Sequence, residues 1–423
     1  MRKILPLLSA VALMASAVCY AQIPQSAKAA GLLREDPTRA GVNTNSYEFF
    51  PIVDTPAPKG YKAFYVSHYG RHGSRSNWGD TSYRNVIETM KKAKEAGIIT
   101  EEGEALMLEA QAVLDNYSGM DGRLTYRGER EHEMLASRLY ARVPEVFKGG
   151  KSIRAIASTS QRCIVSMNGF TIGLTKKNPK LHFFLDTGEK YMDYLSDTHA
   201  GNSTRGSNEI IRRMWKETPD DSSFVMSHLF TDPQAARKFV KSSEKLTDDI
   251  FNTACISENF DIEADIYRHL PFDAIYRRWA NNNRTQYLQH ANSVEFGHAR
   301  CAGAETLVQE IVRKADEVIA SGEYAADLRF GHDHPIMGLV CYLGLSGVGE
   351  RYTADQIDDN WMGFWELPMA SNLQMIFYRN REGHVLVKFL YNEKERLLRG
   401  LEPVQGPYYD WNTVKANIKG YLR

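Results

Sequence analysis

The sequence has no excess of charge of either sign: among its 423 residues, 52 Lys and Arg face 52 Asp and Glu. That balance argues against a dedicated nucleic-acid binder, because binding a phosphate backbone requires a strong basic surplus. Cysteine is scarce, at five residues, and no pair is spaced as CxxC, so neither a zinc ribbon nor a thioredoxin-like redox site is supported. Repeats and low-complexity tracts are missing. Beyond the N-terminus no apolar run is long enough to cross a membrane. What is present is a globular composition, 43% hydrophobic and 25% charged, in a chain long enough to bury a large core.

Residues 1–21 read as a secretory signal peptide. Arg2 and Lys3 form a cationic start, Ile4 to Val18 is apolar and uncharged, and Cys19-Tyr20-Ala21 offers a cleavage site before Gln22. Acylation at Cys19 is a weaker alternative, because Val18 is bulkier than the residue such lipoprotein signals carry. A periplasmic or secreted location follows. Export leaves Cys163, Cys255, Cys301 and Cys341, which permit up to two disulfides with the pairing open, or buried free thiols.

Downstream, strands alternate with helices. Tyr61 to His68, after the breaker stretch Pro56–Gly60, reads as a buried strand, and 152–157, 327–331, 373–378 and 385–390 read as others. Helices are expected over 128–143, from a cap at Ser158–Ser160 through Ile172, and along the face Leu307, Ile311, Ala315 and Val318, closed by Gly322. This order predicts an α/β sandwich with a mainly parallel sheet. Residues 191–298 are helical and polar in pattern, predicting a helical cap inserted between the two parts of an α/β domain, 22–190 and 299–423, with a cleft between cap and sheet.

The chemistry gathers where strands end. Arg71-His72-Gly73-Ser74-Arg75 follows the first strand, and two guanidiniums around an imidazole, with Gly73 permitting close backbone approach, suit a tetrahedral dianion. Crowded by cations, His72 is expected to stay neutral and nucleophilic in mild acid. Arg162 starts a helix after the second strand, where free amides favour an anion. His332 and Asp333 end the third strand, supplying an imidazole and an acid. Three junctions thus converge at the edge where α/β folds bind ligands, with the parts phosphoryl transfer requires. His332 and His334 lack an evident third metal ligand. Lys59, Arg84, Arg205, Arg212, Arg213, Arg277 and Arg278 are candidate cleft bases, although an ordinary solvated role is the commoner fate of such residues. Trp78 and Tyr83 are candidates for the mouth of the cradle or for the core.

Arg71-His72-Gly73-Ser74-Arg75, Leu124-Thr125 with Gly128, Ser158-Thr159 with Arg162 and Gly173-Leu174, and His332-Asp333 together resemble the histidine acid phosphatases, branch 2 of the histidine phosphatase superfamily, which include phytases and multiple inositol polyphosphate phosphatases. The resemblance implies a phosphoglycerate-mutase-like three-layer sandwich and a small organic phosphate as substrate. It implies His72 as the nucleophile that becomes phosphohistidine and Asp333 as the proton donor. Arg71, Arg75, Arg162 and His332 would hold the phosphate oxygens, and Glu131, His132 and His334 are candidate substrate contacts. No metal or cofactor is implied. One departure stands out: the inositol polyphosphate phosphatases usually carry His-Ala-Glu, whereas His332-Asp333 follows the acid phosphatase pattern, although Pro368–Tyr378 and Val385–Glu393 resemble the C-terminal strands of the former.

Overall fold

Eight strands form one sheet: β1 (Lys62–Arg71), β2 (Ser152–Ala157), β3 (His182–Thr187), β4 (Tyr324–Gly331), β5 (Asn372–Arg379), β6 (Val385–Tyr391), β7 (Lys394–Arg396) and β8 (Tyr408–Asp410). The computed structural model describes residues 22–117, 119–148, 150–196 and 205–421, so the expected signal segment lies outside the described residues. The order is β3-β2-β4-β1-β5-β6-β7, with β8 beside β6. The first four strands are parallel, and β5 runs antiparallel to β1. β1 is buried over nearly its whole length, as a strand covered on both faces must be, and its near-continuous apolar run reflects that.

Alternate residues of β1 serve opposite layers. Val66 joins Leu135, Leu139, Phe170 and Leu174 on one face, beneath helices Tyr126–Arg142 and Gln161–Lys177. Tyr65 and Tyr69 join Leu307, Ile311 and Trp411 on the other. The first pair of helices approaches closely because Gly173 faces Glu133, where an added Cβ would lie 2.6 Å from the Glu133 carbonyl oxygen. Gly322 ends helix Glu305–Ser321 in the left-handed region, φ 66°, as a helix-terminating glycine does.

Residues 191–298 contain helices and turns and no named strand among the described residues. The helical layer is nevertheless wider than that segment. Its core mixes Val225, Phe251 and Trp279 with Leu33 and Val42 from the N-terminal segment and with Tyr83, Met90 and Leu106 from helices Thr81–Glu95 and Glu101–Tyr117. Tyr287 and Leu288, near the end of the expected insertion, pack instead with the sheet core.

Candidate active site

The ends of β1, β4 and β2 lie side by side, with Arg71 opposite Gly331 and Ala157 opposite Phe330. The segments leaving them therefore start from one edge, and the structure brings Arg71, His72, Arg75, Arg162, His332 and Asp333 together there. Arg71 is fully buried. Its Nη1 donates to the carbonyls of Asn43 at 2.7 Å and Leu367 at 2.9 Å, and its Nη2 donates to Asp333 Oδ2 at 2.9 Å. Asn43 Nδ2 donates to the same carboxylate oxygen at 3.2 Å.

His72 is held at its backbone, where its N–H donates to Gly331 and its carbonyl accepts from Ala370. Its Nδ1 lies 3.0 Å from the Gly73 carbonyl oxygen. A carbonyl only accepts, so Nδ1 carries the proton and Nε2 keeps its lone pair. Burial, followed by the guanidiniums of Arg71 and Arg75, holds the His72 pKa well below the usual histidine value. The expected outcome is that a nitrogen-resolved NMR titration finds the same neutral Nδ1–H form at pH 7 and at pH 5. An ordinary histidine would be about 97% protonated at pH 5.

His332 sits between Ser158 and Arg162. Its Nε2 lies 3.0 Å from Ser158 Oγ and its Nδ1 accepts from Arg162 Nη2 at 3.2 Å. Burial and then Arg162 push its pKa down to about 4. The ring stands 5.8 Å from that of His72, centroid to centroid. Arg75 is pushed down to about 10 by burial and by Arg71, and so remains charged. Burial alone would favour neutral Asp333. Arg71 foremost, then the neighbouring histidines, outweighs it and holds the carboxyl well below the usual range.

Two of the candidate substrate contacts, Glu131 and His132, are buried. The Glu131 carboxylate accepts from the Ser74 N–H at 2.7 Å, the Ser74 hydroxyl at 2.7 Å and the Tyr47 N–H at 3.1 Å. It braces the 71–75 loop from behind. His132 is fully buried, edge-on to Phe330, with its pKa pushed down to about 3 by burial. His334 remains at the rim, its side chain 33% exposed, stacked on His290 with centroids 3.5 Å apart.

The glycines of the motif have a steric cause. A Cβ on Gly73 would lie 2.4 Å from the Gly128 carbonyl oxygen, and one on Gly128 would lie 2.2 Å from that of Ser74. The loop thus rests backbone to backbone on the start of helix Tyr126–Arg142, which Thr125 caps by accepting from the Gly128 N–H. Gly128→Ala is expected to cost about 1–3 kcal/mol in urea unfolding. By displacing the loop, it should also lower kcat about 100-fold.

Of the two candidate mouth residues, Tyr83 is in the core and Trp78 is 60% exposed. The Trp78 ring lies under both Arg75, at 5.0 Å, and Arg162, at 4.7 Å, steadying two guanidiniums. Most of the candidate cleft bases are engaged elsewhere. Arg84 pairs with Asp80, Arg213 with Glu217, and Arg277 and Arg278 with Asp220. Lys59 precedes β1 by the edge opposite Arg71, roughly 30 Å away at strand rise. Cys163, Cys255, Cys301 and Cys341 are free thiols.

Known proteins resemble this chain. Multiple inositol polyphosphate phosphatase 1 of Gallus gallus is 21% identical over 323 residues, spanning 70% of this chain and 69% of that protein. The Bifidobacterium longum multiple inositol polyphosphate phosphatase, solved with inositol hexasulfate, superposes with a TM-score of 0.72 at 17% identity, covering 90% of this chain and 97% of the other. The phytase from D. castellii follows at a TM-score of 0.67 and 12% identity, with 91% and 85% covered. At these identities the two solved structures speak for the fold. The sequence pattern of the histidine phosphatase superfamily (branch 2) matches residues 70–392, a span holding every charged group at the sheet edge, and the protein, a phosphomonoester hydrolase, belongs to that superfamily.

Proposed function

We propose that the protein hydrolyses phosphomonoesters through a phosphohistidine on His72. The observation that carries this reading is the bare Nε2 of a neutral imidazole surrounded by Arg71, Arg75 and Arg162. In this scheme the three guanidiniums and His332 hold the non-bridging oxygens, and Nε2 forms the N–P bond as the ester P–O bond breaks. Asp333 gives its proton to the departing alkoxide. The resulting carboxylate takes a proton from the water that hydrolyses the N–P bond, which restores both groups. In the free enzyme Asp333 is ionised opposite Arg71. An arriving phosphate dianion shares that cation and repels the carboxylate, raising its pKa and favouring the protonated acid, so turnover is expected to be greatest in acid.

Inositol polyphosphates are the substrates suggested by the relatives. A simpler phosphomonoester is the second reading, favoured by Asp333 in place of Glu and by the carboxylates that engage Arg84, Arg213, Arg277 and Arg278. A substrate panel at pH 5 comparing phytate, glucose 1-phosphate and p-nitrophenyl phosphate separates them. A kcat/KM for phytate at least about tenfold above the others supports the first, and comparable values support the second.

Export rests on residues 1–21 alone, and a mature N-terminus at Gln22 in protein recovered outside the cytoplasm is its test. Division into an α/β domain, 22–190 with 299–423, and a cap, 191–298, is likewise proposed. The shared helical core supports grouping the cap with helices Thr81–Glu95 and Glu101–Tyr117.

A further inference from the structure

On helix Glu101–Tyr117, away from the sheet edge, lies a cluster that phosphoryl transfer does not use. Glu102 stands in the first turn of that helix, His228 in helix Phe224–Leu229, and His269 ends the short turn Ile266–His269. One ligand atom from each lies within 4.8 Å of the other two. His269 is fully buried. Its Nε2 lies 3.0 Å from Glu109 Oε2, and a carboxylate can only accept, so Nε2 is the donor in that pair. The other ring nitrogen, Nδ1, is buried 3.3 Å from Glu102 Oε2 with no hydrogen bond of its own. His228 Nε2 is also buried without a hydrogen-bond partner, and its ring is oriented by stacking on Phe224, centroids 4.8 Å apart.

We propose that Glu102, His228 and His269 bind a divalent first-row metal ion, with zinc the best match. Two imidazole nitrogens and one carboxylate oxygen are a zinc donor set. Glu109 plays the part that orients a ligating histidine by accepting its other N–H. Donor atoms on a tetrahedral zinc lie about 3.3–3.5 Å apart, a spacing the His269–Glu102 pair already has. The Glu102 side chain is 43% exposed, so it can close on the ion and leave the fourth position to water. Arg268 is the competing cation: it lies 3.9 Å from Glu102 Oε2 but 3.3 Å from Glu109 Oε1. Metal binding displaces the longer contact and keeps the shorter. The ion fastens helix Glu101–Tyr117 to two elements of the segment 191–298, as a structural link outside the catalytic edge.

The test uses the full chain, stripped with chelator and titrated with zinc by calorimetry, and with cobalt for the visible absorption of a tetrahedral site. One zinc per chain and a raised melting temperature are expected. Glu109→Gln should weaken zinc binding about 10–100-fold, and His228→Ala combined with Glu102→Gln should abolish the stoichiometric site. All variants should keep wild-type turnover of p-nitrophenyl phosphate. Failure of the wild type to bind zinc would overturn the proposal. Undiminished binding in the double variant would overturn it as well, by placing the metal elsewhere.

Discussion

Replacing His72 with alanine is expected to lower kcat for every phosphomonoester by about 10⁴-fold or more, the scale of losing a nucleophile. The fold should survive. The backbone of His72 is what ties it to Gly331 and Ala370, and its side chain is bonded to the neighbouring Gly73 carbonyl, so alanine breaks no long-range hydrogen bond. Arg71, Arg75 and Arg162 remain, and inorganic phosphate should still inhibit binding of a fluorescent phosphate ester. Steady-state kinetics with p-nitrophenyl phosphate, read beside the melting temperature, check both halves. A variant that folds, binds phosphate and turns over normally would remove His72 from the reaction.

Asp333→Asn is expected to separate substrates by their leaving groups. For an alkyl phosphate, whose alkoxide departs only with a proton, kcat should fall about 10²–10⁴-fold. For p-nitrophenyl phosphate, whose phenolate leaves unaided, the fall should be far smaller. The substitution also removes an anion that accepts from Arg71 and Asn43, so the phosphate inhibition constant should drop as the cradle becomes more positive. Parallel kinetics on glucose 1-phosphate and p-nitrophenyl phosphate read all three effects. An equal loss on both substrates would assign Asp333 a role in positioning rather than in proton donation.

The sheet and the reacting groups were legible because their signals are local. The apolar run from Tyr61 to His68, the alternation over 152–157 and the strand ending at Gly331 each predict a strand followed closely by the residues that carry the chemistry. Three such endings can meet only at one edge. β3 escaped notice because it is a largely exposed edge strand. The residues that support the site were hidden for a different reason. Asn43 meets Asp333 across 290 positions of chain from a segment where Val42 has φ 53°, and no periodicity announces such a contact. Glu131 was a candidate substrate contact only by the family resemblance. Only burial shows its carboxylate turned to the Ser74 and Tyr47 amides, where it satisfies donors that would otherwise be stranded. Which candidate bases face the cleft was hidden for a related reason. A neutral chain has a carboxylate for every base, and Asp220 alone engages both Arg277 and Arg278.

The central claim is that phosphorus becomes covalently bound to His72. Its most direct test is to mix enzyme with a rapidly hydrolysed phosphomonoester, quench within milliseconds in alkaline denaturant, where N–P bonds persist, and sequence the phosphorylated peptide by mass spectrometry. A single phosphoryl group on the imidazole of His72, absent from His72→Ala and from unreacted enzyme, is the predicted result. Full turnover with no phosphorylated His72 at any quench time, or with the phosphoryl group on another residue, would contradict it.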